Sequence, residues 1–342
     1  MHQNDLLSPP SIPIPLESSF LRTHGREETE RAIRQIVRSV QFELMESENA
    51  LRLMGPKMSY HQVDPYLPEG LRRFGKSMTL ADVLAFRSAR PNIDLCFEDS
   101  WTGYFIARQF EQQSQPHDLV LIHLDDHADM MATLLCRSAE NLINPASGAT
   151  FDPTSASDWK AAIYSGAVNI GNYVTPFFYS GSRLHVRHIN NSTDRTDISY
   201  VVREASQYQL IPDKQFANIR KSNADSNETV GTYLSGSNPE AVLDRLPRTW
   251  TLLHVDLDYF INDFNGSSRG TEYVPHADLQ TIALEKMNRF FNALARLNLR
   301  IDRWIIATSP GFCSAYHWDV LLSEIDSRIH DFKSLLGEGI AP

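Results

Sequence analysis

Apolar residues fall along this chain in two rhythms. One is helical. Ala32, Ile33, Ile36, Val37, Val40 and Leu44 recur at three- and four-residue spacing within a charged stretch, which predicts a long helix over 26–53 closed by Gly55-Pro56. Further helices are predicted over 104–113, 157–165, 276–297 and 317–336. The other rhythm is the short apolar run: 92–97, 118–124, 249–255 and 301–307 each predict a buried strand. The polar, turn-rich stretches 144–155, 190–199 and 221–239 read as loops. Ser8 to Pro15 holds four prolines in eight residues, which excludes regular structure and predicts an extended arm. The expected organisation is an arm over 1–22 and a single catalytic domain over 23–342.

Strands alternating with helices, without hairpin signals, predict an α/β fold with a mostly parallel sheet and helices on both faces. Strand C-termini in such a sheet share one edge, and ligands bind outside it. Four of the predicted strands end there in polar groups: Glu98-Asp99, Asp125 to Asp129, Asp256 to Asp258, and Ser309-Pro310.

Two of these ends carry the chemistry. His123-Leu124-Asp125-Asp126-His127-Ala128-Asp129 packs three carboxylates and two imidazoles into seven residues, and His254-Val255-Asp256-Leu257-Asp258 follows the second run. Acids crowded at a strand end repel one another unless a cation holds them. Asp125, His127 and Asp129 alternate, as do Asp256 and Asp258, so in extended backbone each set shares a face. This thiol-free, carboxylate-rich set favours Mn²⁺ or Mg²⁺ over structural zinc. Its five residues are more than one ion needs, and bridging aspartates suit two ions about 3.5–4 Å apart. A lone Asp-x-Asp is more often a turn or cap; the seven-residue cluster is what makes the pattern specific. Asp126 alternates out of the set and reads as a supporting or helix-capping group. His123 and His254, each two residues before a ligand, either orient ligands or are core histidines.

Net charge is −10, which argues against nucleic acid or an anionic membrane as the main partner. Cys96, Cys136 and Cys313 are odd in number and far apart, which argues for buried thiols in a reducing compartment. No signal peptide and no run of membrane-spanning length is evident, so a cytoplasmic protein is expected.

The two clusters resemble the Asp-Ala-His-x-Asp and Asp-x-Asp motifs of the ureohydrolases, the arginases and agmatinases. The segments 97–100, 123–130, 170–172, 254–260 and 307–310 are more similar to a divergent branch, the peptide arginases, which convert arginine to ornithine within ribosomally made precursor peptides. The resemblance implies a three-layer α/β/α sandwich and two Mn²⁺ ions per chain. It carries Asp125 and Asp256 over as bridging ligands, His127 and Asp258 as ligands of one ion, and Asp129 as a ligand of the other. It also implies an arginine-containing precursor peptide as partner and release of urea. Three places depart from it. Where arginases carry a metal-binding histidine, this chain reads Glu98-Asp99-Ser100. Where they carry a catalytic-site histidine, it has Asn169. Where they place the acid that contacts the guanidinium, it has Ala307. Asp129 is the candidate for giving the leaving amine its proton. Glu98, Asp99 and Glu272 are candidates for gripping the guanidinium. Two other readings stand beside this one: a single-zinc amide deacylase of the arginase-like superfamily, and a non-catalytic peptide-binding module with a vestigial metal site.

Overall fold

A computed structural model of the chain describes residues 11–91, 93–139, 141–193, 196–267, 273–275 and 277–335. Glu272, His276 and the first residues of the proline-rich arm lie outside the described residues. In chain order the strands are β1 (Ile14–Pro15), β2 (Val40–Met45), β3 (Ala50–Pro56), β4 (Arg87–Arg90), β5 (Ile93–Cys96), β6 (Asp118–Leu124), β7 (Cys136–Ser138), β8 (Asn141–Ile143), β9 (Thr150–Phe151), β10 (Arg183–Ile189), β11 (Thr196–Tyr208), β12 (Ile211–Ser222), β13 (Thr229–Gly236), β14 (Trp250–Asp256) and β15 (Arg303–Ala307). The helices are α1 (Ser18–Ile36), α2 (Leu67–Phe74), α3 (Trp101–Gln112), α4 (Ala156–Ser165), α5 (Pro239–Leu243), α6 (Ala277–Arg296) and α7 (Trp318–Leu335).

The expected mostly parallel, arginase-like sandwich is not what forms. Twelve strands make one mixed sheet in the order β4-β5-β15-β14-β6-β10-β13-β11-β12-β7-β8-β9, and β1-β3-β2 make a small separate sheet. Parallel pairing is confined to the block from β5 to β13, five pairings in all. The eight others among the described residues are antiparallel. Much of the difference comes from the segment between β10 and β14, which forms three long strands. β11 and β12 form a hairpin, and β13 fills the slot between β10 and β11. The expected loop over 221–239 is therefore largely the end of β12 and all of β13. Its Gly and Thr content hid the strand, and the glycine has a packing cause: a Cβ on Gly231 would lie 2.0 Å from the Leu184 carbonyl oxygen of β10.

The long helix expected over 26–53 also divides. α1 is kinked at Gly25, where φ is +73°, and ends at Ile36; β2 and β3 then form a hairpin through a left-handed Asn49. Val40, Phe42 and Leu44 alternate with Gln41 and Glu43, a period-two pattern that competes with the helical one. Towards the N-terminus, Ile14–Pro15 pairs with β3 rather than trailing free.

The central strands are apolar throughout because both faces are covered. Leu119 and Leu121 of β6 pack into one core with Phe105 of α3 and Trp159 of α4. Val120, Ile122 and Leu124 pack into the other with Met287 of α6 and Leu321 of α7. The three cysteines are buried and unpaired. No helix among the described residues is long and apolar enough to cross a membrane.

Candidate metal centre

Because β5, β15, β14, β6 and β10 run parallel, their carboxyl ends meet at one edge, and the two acid clusters meet with them. β14 lies directly beside β6, with His254 paired to His123 and Val255 to Leu124. Asp125 and Asp256 come next in step and are fully buried. Three groups of side chains converge closely enough to hold a metal ion: Asp125, His127 and Asp258; Asp99, Asp125 and Asp256; and His123, Asp125 and His254.

Backbone amides shape the acidic loops. The His127 amide donates to Asp125 Oδ1 at 2.7 Å, the Asp258 amide to Asp256 Oδ1 at 2.9 Å, and the Asp126 amide to Asp258 Oδ1 at 3.3 Å. Asp129 and Ser309 sit in the left-handed region, at φ +49° and +44°, conformations that cost energy outside glycine and gather at functional sites. From there the Ser309 hydroxyl donates to Asp256 Oδ2. His127 Nε2 donates to the amide oxygen of Asn265 at 3.0 Å. That leaves Nδ1 facing Asp258 Oδ2 at 3.0 Å and Asp125 Oδ1 at 3.6 Å, an arrangement that fixes the tautomer for metal ligation.

Electrostatics supply the test of fit. Burial, then repulsion from Asp129 and Asp256, pushes Asp99 well above the ordinary carboxylate range. Burial and Asp125 do the same to Asp129, and burial and Asp258 to Asp256. Asp258 is pushed up to about 7 by burial and by Asp125. Burial disfavours a charge on Asp125 as well, yet His123, His127 and His254 around it outweigh that and hold it well below the usual range. Asp99 Oδ1, Asp125 Oδ2, Asp129 Oδ2 and His254 Nε2 are buried without a hydrogen-bond partner. Unpaired buried oxygens on mutually repelling acids are what a divalent cation relieves, so the residues present fit a metal.

The expected residues divide by role. Asp125, His127, Asp256 and Asp258 come together as the sequence pattern suggested. Asp99 joins them at the place where the resemblance lacks its histidine. Asp129 lines the same cavity, with Oδ2 3.4 Å from His123 Nε2, but is outside the three compact groups. Asp126 stands apart, its carboxylate accepting from Asn191 at 2.9 Å and Asn262 at 3.2 Å. Asn169 is spent on its own loop, accepting the Gly171 amide at 3.1 Å. His123 donates through Nε2 to the His127 carbonyl at 2.9 Å and accepts from the Tyr173 hydroxyl at 3.3 Å, so it supports the loop rather than offering a ligand nitrogen. His254 faces Asp125 Oδ2 at 3.5 Å, its other nitrogen held by Thr102 at 2.8 Å.

Sequence reasoning missed Thr102, Tyr173, His188 and the pair Tyr60-His61. His188 continues the row of imidazoles onto β10, next to His123, and its Nε2 donates to the Asp125 carbonyl at 3.0 Å. The alternation Leu184, Val186, His188 was a readable signal for it. Tyr60 and His61 are remote in sequence and carry none.

Above the acids lies a cavity of about 500 Å³. Its floor is Asp99, Asp129, Asp256 and Asp258, and its walls include Met130, Met131, Ile170 and Phe312. No protein-family model matches the chain, and no curated protein is similar to it.

Proposed function

We propose that this protein is a Mn²⁺-dependent hydrolase that acts on the guanidinium of arginine within a peptide, leaving ornithine and releasing urea. The observation that carries the reading is the buried, mutually repelling acid set with unpartnered oxygens at the floor of an apolar-walled cavity. Asp125 and Asp256 would be shared between two ions, with His127 and Asp258 on one side and Asp99 and Asp129 on the other. Bound there, such ions supply Lewis acidity and lower the pKa of a cavity water towards neutrality.

The chain's own groups do the rest. Met130, Met131 and Ile170 enclose the aliphatic stem of the arginine and keep bulk water from the reacting end. Asp129 lines the cavity, where it takes a proton from the attacking water and passes it to the nitrogen of the breaking C–N bond, which becomes the ornithine amine. The three unpaired thiols support a reducing compartment, the cytoplasm. A single-zinc amide deacylase would draw on the His123, Asp125 and His254 group, and the donor role of His123 Nε2 disfavours it.

The test is incubation of the Mn²⁺-loaded protein with an arginine-containing peptide. Loss of CH₂N₂, about 42 Da per arginine, with an equal yield of urea is expected from this hydrolysis. An unchanged peptide mass with the metal in place overturns the reading.

A further inference from the structure

Beside the cavity the ladder of the mixed sheet is left open. Two antiparallel pairings separate β12 from β13, and β13 runs parallel to β10 and so to β6. β12 therefore ends at the same edge as the metal-binding floor. One flank of β12 is paired with β11 as far as Ser222. On the other flank Phe216 pairs with Cys136 of β7, the Ala217 amide donates to the Leu135 carbonyl at 2.8 Å, and the Thr133 amide donates to the Ala217 carbonyl at 2.9 Å. Backbone N–H and C=O groups alternate sides along a strand, so those of Ile219 and Lys221 face the same way as those of Ala217. Among the described residues nothing pairs with them there. Two residues before Thr133, Met131 lines the cavity and is 52% exposed, so the cavity opens to solvent beside this edge. The Lys221 side chain lines the cavity as well, with Nζ 3.4 Å from the centre of the Tyr233 ring, and no acid pairs with it among the described residues. Glu98 also lines the cavity, but its oxygens are taken by the Tyr60 hydroxyl, 2.9 Å from both, and by His61 Nε2.

We propose that the open flank of β12 at Ile219 and Lys221 is the docking strip for the substrate. An extended peptide segment beside the arginine adds to it as a further strand, and Lys221 receives an acidic side chain of that segment. The inference rests on the proposed function, in which the arginine belongs to a peptide. Unpaired strand groups take extended backbone in preference to any other partner. Two residues offer two donors and two acceptors, too short a strip to hold a partner by itself. That length suits a segment whose arginine is anchored in the cavity, and it disfavours a second copy of this chain. The unpaired ammonium of Lys221 gives the strip its charge preference.

The experiment measures binding of labelled arginine peptides to the Mn²⁺-loaded protein by anisotropy read on mixing, with urea release and metal content followed in parallel. The peptides are N-methylated at one backbone amide at a time, which removes a donor from the added strand. Methylation should weaken binding about 10-fold at amides that face β12 and leave the amides between them within about 2-fold, an alternation of period two. Ile219→Pro deletes an N–H that no bond within the chain uses, and should weaken binding about 10-fold at unchanged metal content. Peptides with an acidic residue beside the arginine should bind about 4-fold tighter than their amide counterparts at low salt, and Lys221→Met should abolish that difference. A flat methylation profile on the wild-type chain overturns the inference whether or not the variants fold. So does wild-type affinity in Ile219→Pro, an acid preference retained in Lys221→Met, or a flat profile with self-association that Ile219→Pro abolishes, which would give the strip to a second copy. Urea released with a flat profile would leave the proposed reaction standing without this docking strip. The alternation without urea would count against the reaction and leave the docking strip standing.

Discussion

Removing the metal should destabilise this protein, and Asp256→Asn should cancel most of the difference. Near 60 °C unfolding entropy is about 2.1 cal/mol/K per residue, so a chain of 342 residues carries about 0.7 kcal/mol/K, and each kcal/mol moves Tm by about 1.4 °C. An ion at 100 times its Kd contributes about 2.7 kcal/mol, or about 4 °C, and two such ions about 8 °C. The same acids set the sign of the pH dependence. Without metal, Asp99, Asp129 and Asp256 are raised by burial and their neighbours' charge, and Asp258 is pushed up to about 7. His127 is pushed up to about 12 by its hydrogen bonds to Asp125 and Asp258. Each raised group binds its proton more tightly folded than unfolded. The stability it adds is therefore complete below its unfolded pKa and lost as pH rises through the folded one. Ion-free Tm should fall from pH 5 to 8, and because the ions replace those protons, the Mn²⁺ increment should be larger at pH 8. Asp256→Asn keeps the side-chain volume and the oxygen that accepts the Asp258 amide, and removes one repelling charge. It should melt higher than the wild-type chain when ion-free and gain little from Mn²⁺. Scanning calorimetry of chelator-treated and reloaded protein measures all four states. Equal Mn²⁺ increments in wild type and variant, or none in the wild type, would refute the reasoning.

Two further outcomes check neighbouring parts of the structure. Thr102→Val is isosteric but strips the hydroxyl from His254 Nδ1, and should weaken Mn²⁺ binding 10- to 100-fold by competitive chelation; unchanged affinity would mean that His254 does not act on Asp125. Gly103→Ala puts a methyl 2.1 Å from the buried Trp159 ring where α3 crosses α4, and should cost about 3 kcal/mol or more in denaturant titration; a neutral result would contradict that packing.

The site was more legible in the sequence than the fold around it. Asp125, His127, Asp256 and Asp258 could be found because strands buried on both faces read as plain apolar runs, and the residues just after such a run sit at the sheet edge. The parallel direction needed to bring those edges together holds for β5, β15, β14, β6 and β10. It failed as a description of the whole sheet because β11 and β12 are half-exposed and rich in Ser, Thr and charge, and β13, though mostly buried, is broken by Thr, Ser and Gly, so all three resemble loops. β2 and β3 were lost to a pattern in which Val40 and Leu44 satisfy both periods. Tyr60 and His61 reach Glu98 only through tertiary packing, which leaves no trace in local spacing.

The claim on which the rest depends is that Asp125 and Asp256, delivered by neighbouring strands, hold the same ions. Anomalous diffraction from Mn²⁺-loaded crystals tests it most directly. Two peaks are expected, both in contact with Asp125 and Asp256, one also touching His127 and Asp258 and the other Asp99 and Asp129. A map with no peak there, or a single ion held by Asp125 and His254 out of reach of Asp256, would contradict it.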